Sequence, residues 1–136
     1  MDCLFCKIIN REIPAEIVYE DEQVLAFLDI YPRSPGHTVV IPRVHATTIV
    51  DLPYVEINPL FSVVKRVTAR IDAALTPQGF TIGLNHGSVS GQTVPHIHVH
   101  IIPRYDGDGG GSIHSVVDYH TDESLASVGS KIRHIK

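Results

Sequence analysis

His96-Ile97-His98-Val99-His100-Ile101-Ile102 is the stretch around which the chain is organised, and it alternates histidine with aliphatic residues. Side chains of a β-strand point alternately to opposite faces, so the pattern predicts a strand with three imidazoles on one face and buried aliphatic side chains on the other. The β-branched residues favour a strand over a helix. Three protonated imidazoles in line would repel one another, so we expect distinct protonation states. The row indicates a functional site, with core packing, surface placement and metal ligation as alternatives.

The polar segment 85–93, Asn-His-Gly-Ser-Val-Ser-Gly-Gln-Thr, runs directly into this strand. Its amides, Gln92 and Thr93 can approach a ligand held by the imidazoles, although loop glycines often only make turns. It is not a Walker loop, because no Gly-Lys-Ser/Thr follows. Together with the histidine row, the segment predicts a bound phosphate ester. Three other histidines are interpreted as structural: His114, His120 and His134.

The length of 136 residues suits a single domain. A formal net charge of −4 argues against broad nucleic-acid binding, which needs a clustered basic surface, but a small anion bound by local donors is compatible with it. The chain has no apolar stretch long enough to cross a bilayer and no signal peptide at its start. We therefore expect a soluble cytoplasmic protein.

Apolar periodicity predicts a short helix over 4–10, followed by a hairpin of strands at 17–19 and 24–28 and a third strand at 37–41. Asn58 is the expected N-cap of the one long helix, with Pro59 at its first position, an end near Thr76-Pro77 and Gly79 in the next turn. The fourth strand is predicted at 80–85 and the fifth at 94–103. These elements define an α+β fold with a five-stranded antiparallel sheet.

The pair Cys3 and Cys6 forms a C-x-x-C motif. In a cytosolic chain this spacing is more typical of a metal or redox pair than of a structural disulfide. By itself it would supply only half of a tetrahedral zinc site.

The chain resembles the histidine-triad (HIT) family of nucleotide hydrolases and transferases, in particular its bacterial HinT-like members. The family signature is His-φ-His-φ-His-φ-φ, with φ hydrophobic, and 96–102 matches it throughout. Asn85 and the run 91–94 resemble the phosphate-binding segment of the family. The likeness covers about 3–105 of a single domain spanning 1–136, and the C-terminal segment 106–136 carries no family motif. It implies a homodimer in which the long helix and fourth strand meet their mates and the sheet continues across the interface.

The resemblance also assigns roles to the histidines. His98 would be the nucleophile that attacks an α-phosphorus, and His100 would donate to a phosphate oxygen. His96 would support the hydrogen-bond network, and His37 matches a fourth active-site histidine. No catalytic metal is needed in this scheme. Asp29 would accept bonds from the ribose hydroxyls, and the remaining nucleotide contacts fall on purine-pocket residues Leu4, Phe5, Ile8, Phe27 and Ile30 and on phosphate contacts Asn85, Gly91, Gln92 and Thr93.

Some bacterial relatives hold a structural zinc ion at positions that match Cys3, Cys6, His45 and His96. The resemblance thus implies Zn²⁺ here, with an exposed loop position as the alternative for His45. Pro95 departs from the family, since many relatives have an aromatic residue there.

The expected function is a purine nucleotide hydrolase that cleaves the α-phosphate bond of adenosine phosphoramidates or adenylate conjugates through a nucleotidyl-histidine intermediate. One alternative is a diadenosine polyphosphate hydrolase, and another is a nucleotide-binding partner protein with incidental turnover. A zinc hydrolase with the triad as metal ligands is a further alternative, for which chelation would abolish turnover.

Overall fold

Five antiparallel strands form one sheet in the computed structural model, which describes residues 2–136. The strand order is β1-β2-β3-β5-β4, so β1 and β4 are the edges. The predicted α+β class and the β1–β2 hairpin are confirmed. The strands are β1 (Ile17–Glu20), β2 (Val24–Leu28), β3 (Thr38–Pro42), β4 (Gly79–Gly83) and β5 (Val99–Arg104), and the helices are α1 (Leu4–Ile9), α2 (Tyr54–Leu75) and α3 (Leu125–Arg133).

The sheet is covered on both faces, which explains why β2 and β3 are almost continuously buried. On one face, α2 packs Leu60, Val64 and Val67 against Ile97, Val99 and neighbouring aliphatic side chains. On the other face, α1 packs against a cluster that contains Cys3, Phe5, Ile8, Leu25, Phe27, Val39 and Ile41. The predicted alternation is therefore confirmed, because the aliphatic residues of the histidine row face α2.

The fifth strand begins at Val99, later than the predicted start at residue 94. The reason lies in the backbone hydrogen bonds of the preceding residues. The His96 amide donates to the carbonyl of Val94 (2.8 Å) and the Ile97 amide donates to the carbonyl of Ala46 (2.7 Å). These bonds lie outside the β3–β5 ladder, which starts at the pair Val40 and Val99.

The predicted start of the long helix is wrong, because α2 begins at Tyr54 with Pro53 as the N-cap and contains Pro59 in its interior. The Glu56 amide donates to the Pro53 carbonyl (2.9 Å) and forms the first turn. The Asn58 side chain accepts from the Ser62 hydroxyl at 3.0 Å and does not cap the helix. Pro59 has no amide hydrogen, so it removes one intrahelical hydrogen bond. The helix can lose this bond and still extend N-terminally to Tyr54.

The predicted end of α2 is confirmed, since Leu75 is its last residue and Thr76 is left-handed, with φ of 46°. Gly79 does not lie in a turn as expected. It begins β4 and pairs with Arg104 of β5. The fourth strand is correspondingly shifted and ends at Gly83.

The C-terminal segment contains α3, a helix that the sequence analysis missed. Its N-cap is Ser124, whose hydroxyl accepts from the Ser127 amide at 3.1 Å. The turn at 106–111 is held by Asp108. That carboxylate accepts from the Gly110 amide (2.8 Å) and pairs with Arg104 (2.7 Å). Within residues 2–136, no helix is both long enough and apolar enough to span a membrane.

Candidate active site

The three histidines of the row lie on the face of the sheet that α1 covers. His96 and His98 are buried, and His100 is half-buried. His100 pairs in register with Val39 of β3, and Asp29 and His37 fall on the same face by the two-residue period of their strands. His96, at one end of the row, belongs to a cluster with two cysteines and His45. His100, at the other end, belongs to a cluster with Asp29 and His37.

The cysteine and histidine cluster consists of Cys3, Cys6, His45 and His96, whose ligand atoms all lie within 4.8 Å of one another. The His96 Nδ1 atom lies 3.6 Å from the Sγ atoms of both Cys3 and Cys6. The His45 Nδ1 atom lies 3.5 Å from Cys6 Sγ and 3.2 Å from His96 Nδ1. Tetrahedral zinc would separate sulfur and nitrogen ligands by about 3.5 Å and two nitrogens by about 3.4 Å. The four side chains therefore fit a Zn²⁺ ion.

The tautomer of His96 also suits a cation. The His96 Nε2 atom lies 2.8 Å from the carbonyl oxygen of Pro42, which can only accept, so Nε2 carries the proton and Nδ1 presents a lone pair. Burial lowers the pKa of His96 and so keeps it neutral. Burial, followed by the nearby Cys3, raises the pKa of the Cys6 thiol. A bound metal ion would reverse this last effect, because zinc binds cysteine as thiolate.

The cluster at the other end of the row consists of Asp29, His37 and His100, and its imidazoles are joined by hydrogen bonds. The Arg33 amide donates to His37 Nδ1 at 3.0 Å, which places the His37 proton on Nε2. His37 Nε2 then donates to His100 Nδ1 at 2.9 Å. His100 must therefore carry its own proton on Nε2. The Asp29 carboxylate lies 3.6 Å from His37 Nε2.

The loop between β2 and β3 fixes the position of the Arg33 amide. The Asp29 amide donates to the His37 carbonyl (3.0 Å) and closes the loop at its base. The Ser34 hydroxyl donates to the Pro103 carbonyl (2.7 Å) and ties the loop to β5. Gly36 has φ of +92°, and a Cβ atom there would lie 2.6 Å from the Leu75 side chain. Only glycine suits this turn.

His98 lies between the two clusters. Its Nδ1 atom lies 2.7 Å from the carbonyl oxygen of His96, so Nδ1 carries the proton and Nε2 keeps a free lone pair. The ring packs edge-on against Phe5 and His100, with centroids 5.0 Å away in each case. A neutral imidazole with a fixed tautomer and a free nitrogen is a competent nucleophile.

Burial lowers the pKa of three histidines in this region. For His98 the hydrogen bond to the His96 carbonyl opposes the effect of burial. For His37 the opposing influence is the charge of Asp29. Burial, followed by repulsion from His98 and His37, lowers the pKa of His100 to about 4. These imidazoles are therefore neutral at physiological pH.

The five apolar residues expected around the purine divide into two groups. Phe5, Ile8 and Phe27 are buried beside the histidine row, and the Phe5 and Phe27 rings meet edge-to-face at 5.5 Å. Leu4 and Ile30 lie at the surface, with exposed fractions of 44% and 77%. Asp29 is half-buried near these groups, and its Oδ1 atom accepts from the Tyr31 amide at 2.9 Å.

The expected phosphate segment folds as a tight loop around Gln92. The Gln92 side chain accepts from the Gly87 amide (2.8 Å) and donates to the carbonyls of Thr47 (2.7 Å) and Val94 (3.1 Å). Its amide group thus braces the loop. Asn85, Gly91 and Thr93 are exposed.

The backbone groups that set the histidine tautomers were not identified from the sequence. They are the amide of Arg33 and the carbonyls of Pro42 and His96. Every residue carries these backbone groups, so no sequence pattern marks them. The sequence carried one partial indication of these contacts. The segment 29–36 contains two prolines, as a loop does, and in the structure this loop is closed by a hydrogen bond to His37.

The fold and site define a class of small α+β protein with a histidine row that leads into an inner strand of its sheet. Residues 10–107 match the model of the HIT domain. The chain belongs to the HIT family. It is 52% identical over 107 residues to an uncharacterized HIT-like protein of Methanocaldococcus jannaschii, covering 79% of this chain and 82% of the relative. It is 38% identical over 107 residues to Adenylylsulfatase HINT3 of Arabidopsis thaliana, covering 79% of this chain and 54% of that protein.

Solved structures agree with this assignment. A crystal structure of a HIT family member from Bacillus subtilis is similar with a TM-score of 0.88 and 38% identity, covering 100% of this chain and 99% of that one. A zinc-bound histidine triad family protein from Mycobacterium smegmatis is similar with a TM-score of 0.75 and 34% identity, covering 98% and 91%.

Proposed function

We propose that the protein is a purine nucleotide hydrolase that acts on adenosine phosphoramidates or other adenylate conjugates through a nucleotidyl-His98 intermediate. The observation that carries the proposal is the 2.7 Å contact between His98 Nδ1 and the His96 carbonyl, which leaves Nε2 free to attack phosphorus. Similarity to Adenylylsulfatase HINT3 supports an adenylate conjugate as the substrate class.

In the first step, His98 Nε2 attacks the α-phosphorus, a phosphorus–nitrogen bond forms, and the bond from phosphorus to the leaving group breaks. The leaving group departs with the bonding electron pair and takes a proton from solvent. The positive charge on the His98 ring is stabilised at Nδ1–H by the His96 carbonyl. His100 Nε2–H donates to a non-bridging oxygen and stabilises its developing charge.

In the second step, water attacks the same phosphorus and releases a proton to solvent, the phosphorus–nitrogen bond breaks, and the electron pair returns to His98 Nε2. The products are a nucleoside monophosphate and a regenerated neutral His98. The chain from the Arg33 amide through His37 to His100 keeps the donor nitrogen of His100 directed away from His37 in both steps. This preorganisation avoids reorientation of donors during the reaction.

The nucleoside is held, in this proposal, by one carboxylate and an apolar pocket. Asp29 accepts from the ribose hydroxyls through the carboxylate oxygen that lies 3.6 Å from His37 Nε2. The buried Phe5, Ile8 and Phe27 form the floor of the base pocket, and the exposed Leu4 and Ile30 form its rim.

The phosphate contacts fall to Asn85, Gly91 and Thr93, which lie exposed on the loop before the histidine row. Gln92 holds this loop to Thr47 and Val94. A Cβ atom at Gly91 would lie 3.5 Å from the Asn85 side-chain nitrogen, so the two residues are adjacent in the loop. The Gly91 amide donates to the Ser88 carbonyl (3.0 Å), so the donors that this loop offers to an anion are the side chains of Asn85 and Thr93.

We further propose that Cys3, Cys6, His45 and His96 hold a structural Zn²⁺ ion. Bound there, zinc would cross-link α1, the segment after β3 and the histidine row, and it would have no catalytic role. A closed set of four protein ligands is typical of structural sites. The free thiols also suit a reducing compartment such as the cytoplasm.

A homodimer through β4 and α2 is the proposed assembly. β4 is an edge strand, so its outer hydrogen-bonding groups have no strand partner among the described residues. Beside it lies a groove of about 640 Å³ lined mainly by apolar residues of α2 and β4, among them Phe61, Val64, Ala69, Phe80 and Ile82, with Lys65, Thr68, Asp72 and Gln78 as its polar residues. A second copy that pairs with this edge would extend the sheet and cover the groove.

The test is turnover of four substrates by the zinc-loaded protein, with acid quenching in the first turnovers. The substrates are adenosine 5′-phosphoramidate, an AMP–lysine phosphoramidate, adenylyl sulfate and diadenosine tetraphosphate. We expect the phosphoramidates or adenylyl sulfate to be cleaved fastest and peptide mapping to place an adenylyl group on His98. If diadenosine tetraphosphate is cleaved fastest, the protein is a diadenosine polyphosphate hydrolase and the proposed substrate class is wrong.

AMP binding without turnover of any substrate would overturn the hydrolase proposal and favour a nucleotide-binding partner protein. Chelation distinguishes a structural zinc ion from a catalytic one. If removal of zinc abolishes turnover in protein that remains folded, the metal is catalytic and the covalent mechanism is wrong.

A further inference from the structure

The thiols of Cys3 and Cys6 take no part in the proposed reaction, although they lie beside the histidine row. Both are free, and their Sγ atoms lie within 4.8 Å of each other. The Cys6 amide donates to Cys3 Sγ at 3.5 Å, which holds the two residues together at the start of α1. The C-x-x-C spacing is also that of reversible dithiol pairs. The pair is therefore placed for oxidation as well as for metal binding.

The two sulfur atoms differ in their access to solvent. Cys3 is buried, with an exposed fraction of 1%, whereas Cys6 is half-buried. A small oxidant therefore meets Cys6 Sγ first, and Cys3 Sγ lies behind it as the second sulfur. A partly accessible cysteine with a resolving cysteine beside it is typical of redox sensors.

The thiols also make the polar contacts that join α1 to the sheet. Within the described residues 2–10, the other hydrogen bonds and the one ion pair stay inside the segment 2–13. Only the sulfur atoms reach further, to His96 Nδ1 (3.6 Å from each) and to His45 Nδ1 (3.5 Å from Cys6). α1 has six residues, too few for a helix to be stable by itself, so it depends on tertiary contacts of this kind.

α1 supplies most of the floor of the proposed base pocket. Phe5 and Ile8 are buried, and the Phe5 ring packs edge-on against His98 and Phe27, with centroid distances of 5.0 Å and 5.5 Å. Displacement of α1 would withdraw two apolar side chains from the base and one from the nucleophile. Nucleotide affinity is thus coupled to the contacts that hold α1.

A disulfide between the two cysteines would remove the polar contacts of α1. Its sulfur atoms approach to about 2.05 Å, and neither keeps a hydrogen to donate or a charge to bind a cation. Reduced thiols without zinc differ, because an S–H group can still donate to the Nδ1 lone pair of His96. Oxidation therefore loosens α1 in a way that removal of the metal ion alone does not.

We propose that Cys3 and Cys6 are a redox-active pair, in which a peroxide closes a disulfide, releases Zn²⁺ and lowers nucleotide affinity by loosening α1. This inference rests on the proposed zinc site and base pocket, and it adds regulation by a peroxide to that pocket.

The oxidation takes two steps and two electrons. The Cys6 thiolate attacks a peroxide oxygen, a sulfur–oxygen bond forms, the oxygen–oxygen bond breaks, and the departing hydroxide takes a proton from solvent to give water. The Cys3 thiolate then attacks Cys6 Sγ, the sulfur–sulfur bond forms, the sulfur–oxygen bond breaks, and a second hydroxide is protonated to water. The sulfur atoms are oxidised, hydrogen peroxide is reduced, and the disulfide no longer binds the metal ion.

The first experiment compares three preparations of the full-length protein, namely zinc-loaded and reduced, chelated and reduced, and treated with hydrogen peroxide that is then removed. Non-reducing peptide mapping, a colorimetric zinc assay and isothermal titration with AMP are the measurements. We expect peroxide to form the Cys3–Cys6 disulfide, to release the zinc and to raise the AMP dissociation constant at least tenfold. The chelated, reduced protein should stay within threefold of the zinc-loaded one, and reductant with zinc should restore the oxidised sample.

Three results would overturn the proposal. They are retention of zinc under peroxide, an oxidised protein that binds AMP as tightly as the reduced one, and an equal loss of affinity after chelation alone, which would assign the effect to the metal ion. Cys6→Ser is the matched control, because serine keeps a donor of similar size and cannot form the disulfide. Its AMP affinity should not respond to peroxide, and a tenfold response would place the reactive group elsewhere.

The second experiment reads α1 without nucleotide, by amide hydrogen exchange of residues 4–9. Exchange should be at least tenfold faster in the oxidised protein than in the chelated, reduced one, and equal rates would show that the disulfide leaves α1 in place. This readout still decides the redox proposal if the reduced protein fails to bind AMP, a result that would overturn the nucleotide proposal. Turnover and the His98 adduct in the reduced, zinc-loaded sample test the hydrolase proposal separately.

Discussion

Two groups of side chains at opposite ends of one histidine row have similar composition and different chemistry. In the cysteine and histidine cluster, Nδ1 atoms of His45 and His96 approach to 3.2 Å, and the His96 proton is committed to the Pro42 carbonyl. In the second cluster, His37 and His100 also approach closely, at 2.9 Å, but a proton lies between them. The first cluster presents imidazole lone pairs and thiols whose spacing fits a cation, and the second is joined by hydrogen bonds.

The difference teaches that ligand-like spacing alone does not define a metal site. Asp29, His37 and His100 also bring ligand atoms within 4.8 Å. The Arg33 amide decides their role, because it can only donate and therefore forces the His37 proton onto Nε2, where a metal ion would need a lone pair. One backbone amide thus separates a hydrogen-bonded cluster from a cluster that fits a metal ion.

The largest effect is expected from a substitution of His98, which should change turnover and leave both neighbouring clusters intact. His98→Asn removes the nucleophilic nitrogen, and we expect kcat to fall at least about 10⁴-fold, because the covalent step is lost. AMP affinity and zinc content should stay within a factor of three. Isothermal titration, zinc analysis and single-turnover kinetics measure the three quantities. A variant that retains more than a hundredth of the wild-type kcat would contradict covalent catalysis by His98.

Removal of zinc should have the next largest effect, confined to stability. Chelation, or Cys6→Ser, should lower the melting temperature by about 10 °C, because a structural metal contributes several kcal/mol to folding. Differential scanning calorimetry and metal analysis measure the change. Asp29→Asn is the control from the other cluster and should leave the zinc stoichiometry at one per chain. Loss of zinc from Asp29→Asn would invalidate the division into two clusters.

Acid should destabilise the protein through His100. Its folded pKa of about 4 lies below the ordinary value of 6.5, so the unfolded chain takes up a proton first as the pH falls. The contribution of neutral His100 is therefore complete above pH 6.5 and is lost progressively down to pH 4, on the order of 3 kcal/mol in total.

Denaturant unfolding of wild type and His100→Asn across this range isolates the effect. Acid also protonates zinc ligands, but it does so in both proteins, so only the difference between them reports on His100. We expect that difference in unfolding free energy to shrink as the pH falls from 6.5 to 4. A constant difference would show that the His100 pKa is not lowered.

The smallest of these effects concerns the direction of the hydrogen-bond chain. His37→Phe removes the donor to His100 Nδ1 and frees the His100 tautomer, and we expect kcat to fall about 10–100-fold. His37→Gln retains an amide donor and should recover part of the loss. Zinc content should not change in either variant. Equal activity of both variants and wild type would mean that the chain from Arg33 does not position His100.

Much of the fold follows from local pattern. The alternation at 96–101 correctly placed Ile97, Val99 and Ile101 in the core, because a two-residue period leaves only one assignment of faces. The end of α2 was also predictable, since Pro77 cannot continue a helix. The start of α2 was not predictable in this way. Prolines occur near both possible starts, and the preference of proline for the first helical position favoured Pro59, whereas the helix begins after Pro53.

The site divides in the same way. By itself the sequence determined which side chains are candidates for the site, since the histidine row, the C-x-x-C pair and the upstream loop are patterns of residue type and spacing. Tertiary structure alone decided the tautomers of the histidines. His96, His98 and His37 take their tautomers from the backbone of Pro42, His96 and Arg33. Main-chain groups are the same in every residue, so only folding could reveal which of them meets an imidazole.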